Sequence, residues 1–268
     1  MKPNPPDWPL LTPSAADDQG KRQFVTALAR GLELLRCFTP DGKQLSNQEL
    51  ARRTGLPRPT VTRLTHTLTQ LGYLRCNAAS GKYQLDIGVL AFGYALLSNL
   101  SICNAAQTRM TELARQARAS VAIGARDRLN MVYLDVAHSD THLTMRRQIG
   151  SRIPLHSTAM GKACLAAMPE PERAFVLNHL GQRFRDDWSA IRLSLEQAFR
   201  DHAERGFCLS LGEWQRDVNS VGVPMRHPSH GLIVFSCGGP GFQLKPRQLE
   251  EDIGPRLVDM VRNLEAVC

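Results

Sequence analysis

The chain has no apolar run approaching the roughly eighteen residues that a membrane-spanning helix needs, so no membrane partner is expected. Its first twenty residues, MKPNPPDWPLLTPSAADDQG, are Pro-rich and acidic and lack the apolar core of a secretory signal. Residues 1–20 therefore read as a disordered N-terminal arm. Cysteine never occurs in a CxxC spacing, and the odd count of seven suits reduced thiols in a cytoplasmic location. Catalytic signatures are missing too. There is no GxSxG, and Gly161-Lys162 is followed by Ala163 with no glycine upstream, which excludes a P-loop. His138 and His142 straddle a turn-like loop. His227 and His230 sit in another, with no nearby Cys or carboxylate to complete a zinc shell. No catalytic residue, cofactor or metal is expected.

Acidic side chains are scarce in one segment only. Residues 21–98 carry eleven Lys/Arg against four Asp/Glu, whereas residues 99–268 carry twenty-one against eighteen. Nearly all of the net charge of +8 therefore sits on one part of the chain. A basic patch confined in this way is the footprint of phosphate binding.

That segment contains SNQELARRTGLPRPTVTRLTHTLTQL, Ser46 to Leu71. Ser46 and Glu49 form a capping box at a helix start. Leu50 and Ala51 face inward, and Arg52 and Arg53 outward. Gly55 stops this helix, and Pro57 and Pro59 suit the entry of the next but not its interior. Val61, Leu64, Leu68 and Leu71 recur at helical period as one apolar stripe, leaving Arg58, Thr60, Thr62, Arg63 and His66 for the outer surface. In a helix-turn-helix, residues near the start of the second helix reach base edges. Arginine takes guanine bidentately, and threonine offers its methyl to thymine or its hydroxyl to a base or phosphate. Downstream, YLRCNAASGKYQL reads as two short strands around a Ser80-Gly81 loop, the hairpin of a winged helix. Arg75 and Lys82 are placed there to touch phosphates. Upstream, Phe24 to Phe38 reads as an amphipathic helix with Val25, Leu28, Leu32 and Leu35 in line. A winged helix-turn-helix is thus expected over residues 21–85. Its DNA-binding residues are Ser46, Arg58, Thr60, Thr62, Arg63, His66, Arg75 and Lys82, and its partner is a double-stranded operator. Residues 86–100 read as a linker helix with Ile87, Leu90, Tyr94 and Leu97 on one stripe. Such a stripe needs cover, and a second subunit would supply it, so a homodimer is expected.

From Ser101 the pattern changes. Cys103 to Arg118 reads as a helix, and SVAIGAR, MVYLDVA and HLTMRRQ read as strands. Helices follow over Ser157 to Met168, about 170–180 and 190–205. Strands return at about 206–211, 218–225 and 231–237, and Pro246 to Val267 closes the chain as a helix. Antiparallel strands with helices in separate runs imply an α+β domain over residues 101–268. Within SRIPLHSTAMGKACLAAM, Ser157 or Thr158 caps a helix whose first turn is Ala159, Met160 and Gly161. Exposed first-turn amides and the positive dipole end make an anion site, with Gly161 permitting close approach and Lys162 and Arg152 adding charge. Ser210, Asn219, Ser220 and Ser236 come from strands that should face this helix. Together these residues describe a pocket for a small carboxylated molecule. They also fit a capped structural helix whose neighbouring serines are satisfied by backbone.

Read together, RGLELLRCF, LSNQELARRTGLPRPTVTRLTHTLTQLGYL, KYQLDIGVL, RIPLHSTAMGKACLAAMP, VNSVGVPM and IVFSCGGP resemble the IclR family of bacterial transcriptional regulators. The similarity runs in order from about Val25 to the C-terminus. The resemblance implies an N-terminal winged helix-turn-helix, a linker helix that pairs subunits and a C-terminal effector domain similar to GAF and PAS modules. It implies operator binding as dimers or dimers of dimers near catabolic genes, under a small organic acid or aromatic effector. The family's loop and first turn before the GK pair fall on Thr158, Ala159, Met160 and Gly161. Departures occur opposite them. The family's acidic residue after the Gly-Tyr strand is Ser210 here, its frequent Cys four before the strand proline is Ser220, and of its two late serines Ser236 is kept and the second is Gly238. The small keto acids known for the family are therefore not carried over. A ligand-responsive regulator is the leading expectation. An enzyme with a DNA-binding head and a constitutive DNA binder are the alternatives.

Overall fold

The computed structural model describes residues 24–39, 42–139 and 148–266, which divide into two compact units between Asn99 and Leu100. The N-terminal arm read at residues 1–20 lies outside the described residues.

The first unit is built on local signals. Helix α1 (Thr26–Leu35) precedes α2 (Asn47–Thr54) and α3 (Arg58–Gln70). At the start of α2 the capping box forms in both directions. The Ser46 hydroxyl accepts from the Glu49 amide at 3.2 Å, and the Glu49 carboxylate accepts from the Ser46 amide at 2.8 Å. Gly55, at φ +71°, ends the helix in the left-handed region where a side chain would be strained. Strands β1 (Leu74–Asn77) and β2 (Lys82–Leu85) pair antiparallel as the wing, and Leu45 bridges to Tyr83 on its open edge. Leu34, Leu45, Leu50, Val61, Leu68 and Leu74 make the core.

Two sequence expectations change here. The stripe Val25, Leu28, Leu32 is exposed, at 62%, 62% and 52%, while Leu34, a third of a turn round α1 from Leu28, and Gly31 between them are buried. Helix α1 carries two apolar rows, and the one with a glycine can approach α3, where Gly31 faces Leu64. Leu71 is exposed rather than continuing the α3 stripe, because the chain leaves the helix after Gln70 and turns at Gly72. The buried position on that face is Thr65, whose hydroxyl bonds to the Val61 carbonyl at 3.0 Å. Helix α4 (Gly88–Ser98) follows the wing, and none of its residues is buried.

The second unit is α+β. Helix α5 (Ser101–Ala117) leads into β3 (Ser120–Asp127), β4 (Asn130–Ala137) and β5 (Arg152–Pro154). The helical run α6 (Ala159–Ala167), α7 (Glu170–Arg183) and α8 (Trp188–Arg205) comes next. Strands β6 (Cys208–Leu211), β7 (Val218–His227) and β8 (Gly231–Pro240) complete a six-stranded sheet in the order β5-β4-β3-β8-β7-β6, every neighbouring pair antiparallel. The strand read at residues 142–148 lies outside the described residues apart from Gln148. The closing helix is not continuous. A helical turn at Pro246–Gln248 passes through a π-helical stretch, Leu249–Ile253, before α9 (Gly254–Glu265). Pro255 has no amide to continue the i→i−4 ladder, which is where a helix shifts register. Val267 lies outside the described residues.

Strand alternation gives the sheet two unlike faces. Val121, Ile123, Val221, Val223, Phe235 and Cys237 point into a core shared with α5 and α9. Their neighbours on the opposite face are small. Ser120, Gly238, Ser220 and Ser210 form one cross-strand row, and Ala122, Ser236 and Gly222 the next. Helix α6 comes down on this face. A Cβ on Gly222 would lie 2.5 Å from the Ala159 carbonyl, so only glycine admits the start of α6 there.

Candidate functional site

On α3 the candidate DNA-binding side chains separate into three rows. Arg63 and His66 are exposed near the middle of the face opposite Val61, Thr65 and Leu68. Arg58 and Thr62 lean toward α2. There the Thr62 hydroxyl donates to the Arg58 carbonyl at 3.1 Å and accepts from the Asn47 amide at 3.3 Å. Asn47 also accepts from Thr65 at 3.2 Å, so one side chain fixes α3 against α2 at two points. Thr60 lies on the α1 side, where it lines an apolar groove with Leu28, Leu32 and Leu64. Ser46 is occupied by its cap. Arg53, expected to face outward, turns back and donates to the Cys37 carbonyl at 2.8 Å, beyond the end of α1. On the wing, Arg75 forms a bidentate pair with Asp86, at 2.6 and 3.3 Å, which holds the Asp86 carboxyl below the usual carboxylate range. Lys82 stands on the neighbouring strand.

The second unit contains a cavity of about 540 Å³ on the small-residue face of the sheet. Its floor is Ser120, Ala122, Ser220, Ser236 and Gly238. Tyr133, Val136, Ile153, Thr158 and Met160 form the walls, and Trp214, Gln215, Arg216 and Asp217 cover it from the β6–β7 loop. The cavity exists because the floor residues are small, since leucines at these positions would fill it.

Of the effector residues read from the sequence, the cavity brings together Thr158, Met160, Ser220 and Ser236. Thr158 caps α6: its hydroxyl accepts from the Gly161 amide at 3.1 Å and donates to the Pro154 carbonyl at 2.7 Å. Ala159 and Gly161 are buried behind the wall. Gly161 is small for a different reason from the one its sequence context gave. A Cβ there would lie 2.0 Å from the Leu155 carbonyl, so the glycine serves packing. Ser210 donates to the Ser157 carbonyl at 2.7 Å. Asn219 alternates with Ser220, falls on the opposite face and donates to the Leu244 carbonyl at 2.9 Å.

The charged groups are rearranged as well. Lys162 is buried in an ion pair with Glu213 and donates to the Leu209 carbonyl at 3.2 Å, and Arg152 pairs with Asp127 at 3.5 Å. The cation on the cavity wall is Arg216, which sequence reasoning missed. A loop residue has no period to betray it. Ser120 and Gly238 were more accessible, since each pairs across the sheet with a residue already on the floor. Burial pushes the thiols of Cys164, Cys208 and Cys237 up to about 12, which makes them poor nucleophiles. His227 Nδ1 accepts from the Ser229 and His230 amides, and among the described residues no group of three or more His, Cys, Asp or Glu could hold a metal.

Residues 27–77 match the IclR helix-turn-helix domain, and residues 94–263 match the C-terminal domain of the bacterial transcriptional regulator IclR. The chain belongs to the IclR family. Its two units are therefore an IclR DNA-binding head and an IclR effector-type domain. The HTH-type transcriptional regulator TsaQ1/TsaQ2 of Comamonas testosteroni is 35% identical over 260 residues, 96% of this chain and 93% of its own. The solved IclR family transcriptional regulator from Brucella abortus is 58% identical, with a TM-score of 0.88 over 95% of this chain and 96% of that one. An IclR homolog from Microbacterium hydrocarbonoxydans, solved as a complex with 4-hydroxybenzoate, shares the fold at 20% identity and a TM-score of 0.64, covering 90% of this chain and 98% of that one. Among the described residues no single helix is long and apolar enough to cross a membrane.

Proposed function

We propose that this IclR-family chain is a ligand-responsive regulator whose C-terminal unit takes a small aromatic or aliphatic carboxylate into the cavity under Trp214. The observation that carries this reading is the cavity itself. Its volume lies in the range of small-molecule sites, Val136, Ile153 and Met160 give it apolar walls, and its polar groups are the floor hydroxyls, Tyr133, Thr158 and Gln215, with Arg216 and Asp217 of opposite charge side by side in the loop. The 4-hydroxybenzoate bound by the Microbacterium homolog has this chemistry. The cavity belongs to the second unit and the helix-turn-helix to the first, so the ligand acts by favouring one arrangement of the protein over another.

Operator contact is assigned to Arg63 and His66 at the centre of the exposed α3 face. Arg58, Thr60 and Thr62 flank them, and the wing adds Lys82 and Arg75. A homodimer, or a dimer of dimers, fits helix α4 and the residue that precedes it, since Ile87, Leu90 and Tyr94 are more than 60% exposed. A neighbouring catabolic operon is the expected target.

The test has two arms. A thermal-shift screen of aromatic and aliphatic acids should raise the transition of the C-terminal unit for at least one compound. That compound should change footprint protection upstream of the neighbouring operon at fixed moderate salt. Protection that no compound alters would leave a constitutive DNA binder. No protection at all would remove the regulator reading.

A further inference from the structure

The loop Gly212–Asp217, between β6 and β7, puts four residues, Trp214 to Asp217, on the cavity. Its base is cinched, with the Gly212 amide donating to the Val218 carbonyl at 3.0 Å and the Val218 amide to the Gln215 carbonyl at 2.9 Å. Its Asp217 end is tied to the residue after β8 as well, where the Gly241 amide donates to the Asp217 carbonyl at 2.7 Å. Glu213 ties it to two helices. Its carboxylate takes the Lys162 ammonium from α6 and, at 2.5 Å, the Ser194 hydroxyl from α8. Lys162 is only 3% exposed, so losing the carboxylate would leave its charge buried and uncompensated. This pair acts as a strut: Lys162 is buried, Glu213 is 35% exposed, and the pair frays less than one with both partners in water. Glu213 itself is not part of the cavity wall, whereas the next residue, Trp214, is. Lys162 also shares its helix with Met160, and its helix cap is Thr158, both wall residues.

We infer that Glu213, through Lys162, is the positioning residue that holds the Trp214 loop over the cavity and sets how long a ligand stays. The ligand half rests on the cavity reading above; the positioning half does not. In the closed arrangement the ligand touches Trp214 and Arg216 but not the strut. Loosening the strut would therefore open both the entry and the exit path without removing a ligand contact.

The chain has three tryptophans, so Trp8→Phe with Trp188→Phe leaves Trp214 as the sole reporter in the full-length protein. Glu213→Gln keeps the size of the side chain and can still accept from Ser194, which favours a folded variant. Acrylamide quenching of Trp214 is expected to rise about twofold or more in Glu213→Gln, and less in Ser194→Ala. In a matched Trp8→Phe, Trp214→Phe background, Trp188 quenching is expected to stay constant. With 4-hydroxybenzoate as the probe in stopped flow, Glu213→Gln should raise the association and dissociation rates together. Unchanged Trp214 quenching in a folded Glu213→Gln protein would overturn the positioning role, and so would an equal rise at Trp188. Raised quenching with unaltered binding rates would overturn the residence role. Raised Trp214 quenching with no 4-hydroxybenzoate binding would uphold the strut and count against that ligand class.

Discussion

Replacing Gly161 with alanine separates two explanations of the same residue. An anion site at the start of α6 would need Gly161 for close approach of a ligand, and alanine would then cost binding alone. The structure instead puts the missing Cβ 2.0 Å from the Leu155 carbonyl oxygen, 2.5 Å from its carbon and 2.6 Å from its Cα. Backbone must therefore separate by about 1 Å to reach even the closest tolerated contact, roughly 3 Å. Helix α6 has little room to retreat, because every residue from Ala159 to Leu165 is buried. Alanine in a helix interior gains about 0.8–1.0 kcal/mol over glycine. Overpacking of this kind costs about 3 kcal/mol, the upper end of its usual range. The clash wins, leaving a loss of about 2 kcal/mol, which for a unit of this size lowers Tm by about 4–8 °C. Scanning calorimetry of the full-length Gly161→Ala protein, with circular dichroism to check folding, measures it. A Tm within 1 °C of the parent, together with lost stabilisation by an aromatic acid, would refute the packing argument.

Four further outcomes follow from the same geometry. Arg63→Ala should weaken operator binding by roughly 1–3 kcal/mol at one base step. Thr65→Val leaves Asn47 without one of its partners and should weaken all sequences alike, and gel shifts on single-base operator variants distinguish the two. In a Cys268→Ser background, Cys76 on the wing should react with a disulfide reagent within minutes, while Cys164, Cys208 and Cys237, buried and pushed up to about 12, should need denaturant. Burial holds His156 below its ordinary 6.5 against Phe184, and His202 shifts the same way. The unfolded chain then binds the extra protons, so stability should fall as pH drops below about 6.5 and level off once the folded pKa is passed. Urea midpoints at several pH values should show a shallower slope in His156→Phe, with the His202 share remaining.

What could be read from the sequence depended on how local the determinant was. The capping box at Ser46 and the stop at Gly55 involve residues a few positions apart, and they form as expected. The wing hairpin is equally local. In helix α1 the amphipathic period shows an apolar row without saying which of two rows meets the core; Gly31 against Leu64 decides that. In the second unit the same limit operates through strand parity. Asn219 and Ser220 are adjacent polar residues, yet the pleat sends only Ser220 to the cavity. Lys162 looked like a ligand cation because Glu213, its partner 51 positions later, could not be anticipated from spacing. Trp214 and Arg216 had no pattern to reveal them at all.

The two rows of small residues across β3, β8, β7 and β6 have an evolutionary consequence. Packing selects the side chains on the core face, and few replacements survive there. On the opposite face Gly222 is held by its contact with α6 and Ser120 by its hydrogen bond to His138, but Ala122, Ser220 and Ser236 border the cavity. Exchanging one of them for another small or medium residue reshapes the hollow and leaves the scaffold untouched. Successive single exchanges at these positions can therefore change the shape and polarity of the cavity while each protein still folds. Gly238 is the tighter position, since a Cβ there would come 3.0 Å from the Ser220 Cβ, so the freedom to vary lies with residues that already carry a side chain into the hollow.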